Sequence, residues 1–163
     1  MDQEILDILE EEALYHSQMA EEYETRLGEY GELRRSVQAV LDSYSEEDEI
    51  GEEEREDRMM ELLDIQDEVQ EKLSEGLPGE AAGDPSALTL GMNELFEKLN
   101  AVRESAGTVE AAEWTAQVRD LLVGHLDFID AVIDDIEADR ERLDSSRLRF
   151  ETLRLILGQE AEA

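Results

Sequence analysis

Near the start of the chain, apolar side chains return at alternating steps of three and four: Leu6, Leu9, Ala13, His16, Ala20, Tyr23, Leu27, Tyr30. That alternation keeps one side of an α-helix apolar over many turns, and such a seam must be covered by another helix. It predicts a helix over 2–44 that packs at a shallow angle on its neighbours. The step from Tyr30 to Leu33 repeats a three before Val37, Val40 and Tyr44, a stammer that overwinds the coil locally. Gly28 and Gly31 weaken the helix at the same place. A bend, or a change of packing partner, is therefore expected near 28–33.

The same spacing recurs further on. A second helix is expected over 52–75 on Met59, Leu62, Ile65, Val69 and Leu73. Gly76, Pro78 and Gly79 end it, and 76–84 is read as a loop. Pro85 suits the first position of a third helix, 85–104, with Leu88, Met92, Leu95, Leu99 and Val102 on its seam and Phe96 beside it. Ser105-Ala-Gly-Thr breaks that helix, and Thr108 is placed to cap a fourth over 109–157. The fourth seam runs Ala111, Trp114, Val118, Leu121, His125, Phe128, Val132. A stutter at Ile136 follows, and then Leu143, Phe150 and Leu157, seven apart. The last stretch, 158–163, is expected to fray. No stretch alternates with period two. The expected fold is one all-α domain over 1–163, an elongated antiparallel bundle with coiled-coil-like packing. It has two long and two shorter helices, and the fourth is roughly 70 Å long.

Charge narrows what such a bundle can do. The chain carries 46 acidic and 14 basic residues, a net charge of −32. A surface of this sign repels phosphate backbones and anionic lipid, which argues against nucleic-acid binding. The acid suits a basic partner, a DNA mimic, or adaptation to high salt, where screening makes self-repulsion tolerable. Lys72 and Lys98 are the only lysines, a bias toward Arg that fits a salt-adapted composition. There is no cysteine, so disulfide, zinc-thiolate and thiol chemistry are excluded. The opening M-D-Q-E-I-L has no signal-peptide pattern, and no segment is apolar for the length of a membrane span. A cytoplasmic location is the expectation.

Several motifs carry groups that chemistry could use. The acidic run S-E-E-D-E-I-G-E-E-E-R-E-D-R spans Ser45 to Arg58. With Gly51 at the sixth position of a calcium loop, Ile50 falls where an oxygen ligand is required, so the run reads as a solvated bend. Ser45 and Asp48 there form a capping-box variant. Ferritin-like sites need Glu three residues before His, and neither His16 nor His125 has it. Both histidines sit on apolar seams, as hydrogen-bonded core residues or as a paired ligand or pH switch. No Ser-His-Asp arrangement, phosphate-binding Gly loop or cofactor motif is present. Glu29-x-x-Glu32 and Glu61-x-x-Asp64 resemble the paired acidic motifs of all-α nucleoside triphosphate pyrophosphohydrolases. That resemblance implies magnesium held by Glu29, Glu32, Glu61 and Asp64.

The end of the fourth helix stands apart. R-E-R-L-D-S-S-R-L-R-F-E-T-L-R-L-I-L, Arg140 to Leu157, is net positive within a chain of −32. Its apolar residues spread beyond one seam. Arg147, Leu148, Phe150, Leu153, Arg154 and Leu157 are the candidate surface for a protein partner or a homodimer, an apolar stripe with an Arg rim.

The overall plan resembles the flagellar and type III export chaperones of the hook-junction type. The residues that carry the likeness are E-I-L-D-I-L-E-E-E-A-L-Y (4–15), M-M-E-L-L-D-I-Q-D-E-V (59–69) and the Leu148–Leu157 stripe. The resemblance implies a small helical protein whose C-terminal helix holds an export substrate. The functional expectation is thus a non-enzymatic interaction or assembly protein. The magnesium-dependent hydrolase and a DNA-mimic or structural coiled coil are the alternatives.

Overall fold

A computed structural model of the protein describes residues 3–45, 52–75 and 85–162. Among them are four helices: α1 Gln3–Ser45, α2 Glu52–Ser74, α3 Pro85–Ser105 and α4 Ala111–Glu162. The described residues contain no strand. The acidic bend at 46–51 and the loop at 76–84 lie outside them.

α1 and α4 run antiparallel along each other. Arg34 Nε donates to Asp130 Oδ1 at 2.5 Å. Arg119 donates to the carbonyl of Tyr44, one of the acceptors that the C-terminus of α1 leaves without a helical partner. Toward the other end, the His16 and Phe150 rings pack with centroids 5.2 Å apart. As numbers rise in α1 they fall in α4.

α2 lies antiparallel on α1. The Arg58 guanidinium stands 5.0 Å from the Tyr44 ring, and Arg26 reaches Glu75 at 2.5 Å. α3 lies antiparallel on α4, where Trp114 Nε1 donates to the Val102 carbonyl at 3.0 Å and Lys98 pairs with Asp120 at 3.3 Å. α2 and α3 meet each other as well. The four helices thus make a square in which α2 and α3 occupy the same side of the α1–α4 pair.

The core follows the seams. Val37, Leu62, Val69, Leu99, Trp114, Val118, Leu121 and Ile136 are all buried in one cluster. Arg55 is buried at its edge: it donates to the Ala106 carbonyl and lies over the Trp114 ring, 5.5 Å from its centre. This ties α2 to the turn between α3 and α4.

Two expectations are adjusted, and of the two alternatives near 28–33 the change of packing partner is the one seen. The bend foreseen near 28–33 is not a break, because α1 is helical throughout from Gln3 to Ser45. What changes there is the company, since α2 joins α1 at Arg26 and Glu29. Thr108 does not cap α4: its hydroxyl points back to the Ser105 carbonyl at 3.5 Å. The first helical bond instead runs from the Trp114 amide to the Glu110 carbonyl. At the far end, α4 continues to Glu162, because the Gln, Glu and Ala of the tail are strong helix formers.

α1 has 43 residues and α4 has 52, against 23 in α2 and 21 in α3. The shorter helices can flank only about 35 Å of the long pair. Because α2 begins beside Tyr44 and α3 ends beside Trp114, the overhang of both long helices falls at one end. α1 before Met19 and α4 after Asp139 project there as a two-helix arm.

Candidate functional site

The arm has a seam and two faces. On α1 the seam residues Leu9 and His16 are buried, seven apart. On α4 no residue between Arg140 and Gly158 is fully buried; Leu143, Phe150 and Leu157 are half-covered. Two helices alone cannot enclose a stripe as wide as this sequence supplies.

The surplus is visible as exposure. Among the described side chains, Ile5, Ile8, Leu14, Tyr15, Leu148, Leu153, Leu155 and Ile156 are exposed on the arm, against Met60, Leu90 and Val123 in the four-helix body. Helical spacing sorts them between the faces. The row of α1 that meets α2 through Glu29 continues back in sevens to Tyr15 and Ile8. The row that includes Arg26 continues to Met19 and Ile5. On α4, Phe128 meets α3 at Gly91, and its row continues in sevens to Arg142, Arg149 and Ile156, with Leu153 alongside. One face of the arm is therefore the seat of α2 and α3 prolonged, with nothing of α2 or α3 on it among the described residues. Leu14, Leu148 and Leu155 lie on the opposite face.

The residues read as a partner surface divide between these surroundings. Leu148 and Leu153 are 59% and 47% exposed. Phe150 is turned inward on His16, and Leu157 is half-buried. Arg147 lies within 4.0 Å of Asp144 and 3.9 Å of Glu151 on its own helix. Arg154 is exposed and borders a shallow groove with Glu151 and Leu155. Ile5, Ile8 and Tyr15 were not singled out from the sequence. The signal was present: they stand off a seam that is already complete without them.

The four acidic positions with a hydrolase-like spacing do not converge. Glu29 is held by Arg26 at 3.3 Å and Lys72 at 3.6 Å. Glu61 lies 3.7 Å from Arg58, more than two turns along α2 from Lys72. Glu29 and Glu32 line one groove with Glu68, Glu71 and Lys72, but Glu61 and Asp64 are not part of it, and Asp64 is exposed on α2. Among the described residues, no group of three His, Asp or Glu is placed to hold a metal ion.

The histidines are also far apart. His125 is buried in the body, with Nδ1 3.0 Å from the Leu121 carbonyl and Nε2 2.7 Å from Gln66 Oε1. Burial, aided by Lys98, pushes its pKa below the ordinary value against the pull of the Leu121 carbonyl. A carbonyl only accepts, so Nδ1 carries the proton and Nε2 of the neutral ring accepts. Turning the Gln66 amide over lets its NH2 donate to Nε2. It also satisfies a Gln66 nitrogen otherwise buried without a partner. His125 is thus a hydrogen-bonded core residue.

No helix among the described residues is long and apolar enough to cross a membrane. Comparison with known proteins gives no match to a family model, a curated protein or a solved structure.

Proposed function

We propose that this chain is a non-enzymatic protein-binding or assembly protein and that the two-helix arm is the part that binds. The observation that carries the reading is the concentration of exposed Ile, Leu and Tyr on the arm, while the four-helix body buries its apolar residues well. Each large side chain left in water forgoes about 1.5–3 kcal/mol relative to full burial. A patch of this kind on an otherwise charged surface marks a contact site. The likeness to hook-junction export chaperones points the same way, since these hold a substrate on an amphipathic C-terminal helix.

The test uses Leu148→Glu and Leu153→Glu together. Both side chains are already exposed, so helix content by circular dichroism should stay at the parent's level. Cross-linking in native extract at native salt should join the parent, but not the variant, to a partner, or the parent to itself. Identical cross-linked products from both proteins would remove the support for the reading. So would magnesium-dependent turnover of a nucleoside triphosphate that Glu61→Gln abolishes.

A further inference from the structure

Building on the arm as a binding surface, we propose that its open face receives one amphipathic helix of a partner protein, basic along the edge over α1 and acidic along the edge over α4. The face is the one that α2 and α3 cover in the body. Its length from Gln3 to Met19 is about 25 Å, room for about 17 residues of helix.

Its two edges carry opposite signs. On α1, Glu4 and Glu11 are exposed along the outer edge, seven apart, and no Lys or Arg precedes Arg26. On α4, Arg142 and Arg149 are exposed along the other edge, also seven apart. The opposite face also has acid on α1, at Glu10 and Glu21, but its α4 edge is mixed in sign, with Arg140, Arg147 and Arg154 interleaved with Glu137, Glu141, Asp144 and Glu151. α2 already shows how α1 takes a helix, through the Lys72–Glu29 pair at 3.6 Å. At the inner end of the open face, in the row of Leu153, Asp139 is buried. Its Oδ1 is 3.1 Å from Arg142, and its Oδ2 makes no hydrogen bond among the described residues.

A second copy of the chain does not suit this face. A two-fold axis along the arm would drive the two four-helix bodies into the same space. A two-fold axis across the arm would lay acidic α1 over acidic α1, and Arg149 over its own copy.

The test uses the full chain and three labelled synthetic peptides of about 20 residues with one apolar stripe. One has a Lys edge and a Glu edge, one has Glu on both edges, and one has the mixed edges with the stripe replaced by Gln. Fluorescence anisotropy at fixed salt reads the affinities. The mixed-edge peptide should bind at least about tenfold more tightly than either other. Ile8→Glu and Leu153→Glu should each weaken it by about tenfold, and Leu155→Glu, on the other face, should leave it unchanged. Equal binding of the two striped peptides, still lost in Leu153→Glu, would overturn the assignment of the edges and leave the arm as a binding surface. Saturation by no peptide, or equal effects of Leu153→Glu and Leu155→Glu, would overturn both. Sedimentation showing a dimer that Ile8→Glu dissolves would give the face to a second copy, and the proposal would fall.

Discussion

Gly91 sets how closely α3 lies on α4. A Cβ placed there would stand 2.5 Å from Phe128 Cε2 and 2.7 Å from Cδ2, well inside the roughly 3.5–4.0 Å at which carbon atoms rest. The obstruction is the edge of a rigid ring, so relief requires Phe128 to leave its rotamer or α3 to move away. Overpacking of this kind costs about 1–3 kcal/mol, and the gain in helix propensity from Gly to Ala returns about 0.8–1 kcal/mol. The net expectation for Gly91→Ala is a loss of about 1 kcal/mol. Gly28 is the internal control. It is also inside a helix, is exposed, and has nothing within 4 Å of its would-be Cβ. There the propensity term acts alone, and Gly28→Ala should add about 0.8–1 kcal/mol. With a urea slope of about 2 kcal/mol per molar, the unfolding midpoint moves up by about 0.5 M for Gly28→Ala and down by about 0.5 M for Gly91→Ala. Adding Phe128→Leu to Gly91→Ala should recover part of the loss, because the shorter side chain vacates the ring's edge. If Gly91→Ala raised the midpoint as Gly28→Ala does, α3 would not be seated this closely and the square packing would be wrong.

With a net charge of −32, the thermal midpoint should rise from low to molar salt as the screening length shrinks from about 10 Å at 0.1 M to about 3 Å at 1 M; a flat melting series would mean that the carboxylates already have enough partners or distance. His125, held below its ordinary pKa of 6.5 by burial, makes its full contribution to stability above about pH 6.5 and loses it as pH falls toward the lowered folded value. The unfolded ring takes the proton first, so the loss runs at up to about 1.4 kcal/mol per pH unit. The difference in urea stability between the parent and His125→Gln, measured from about pH 7.5 to 5.5, isolates this from the carboxylates, and a constant difference would refute it. Gln66→Leu should cost about 1–3 kcal/mol by leaving the buried His125 Nε2 unpaired, and an unchanged urea midpoint would show that the ring finds another partner.

The four helices were legible because a 3-4 seam is a local signal: each run of apolar residues between Leu6 and Leu157 needs only its own spacing to declare a buried face. The antiparallel order followed from the connections, since 76–84 and the turn at 106–110 are too short to return a chain along the bundle. The common end of the overhang was legible in principle from the same order. α1 must finish where α2 starts, and α4 must start where α3 finishes, so both long helices run past the shorter ones at the other end. What no local pattern announces is a contact across elements. Gln66 reads as one polar residue on α2, and its place beside His125 depends on how α2 and α4 rotate when all the seams close. The start of α4 failed for a related reason. Thr108 is a good cap in isolation, but the turn through Ala106 is fixed by Arg55 from α2, so the helix begins after Glu110 instead.

The surplus of apolar residues was read from α4 alone, and the structure shows why half of it was missed. A stripe on one helix is judged against that helix's own seam, and in α1 the seam looks complete without Ile5, Ile8 and Tyr15. Their meaning depends on whether a third helix lies beside them. In the body the corresponding positions are Arg26, Glu29 and Leu33, which meet α2 partly through charge: Arg26 with Glu75, and Glu29 with Lys72. In the arm, where α2 no longer reaches, the row of Glu29 and Glu22 turns apolar at Tyr15 and Ile8, and the row of Leu33 and Arg26 ends, past Glu12, on the exposed Ile5. A hairpin of two helices facing only water would be expected to place polar residues there, and this chain has abundant acid available for the purpose. The change runs against the demands of solubility and of the arm's own narrow seam. On the proposal made above, this is the face that a partner helix covers.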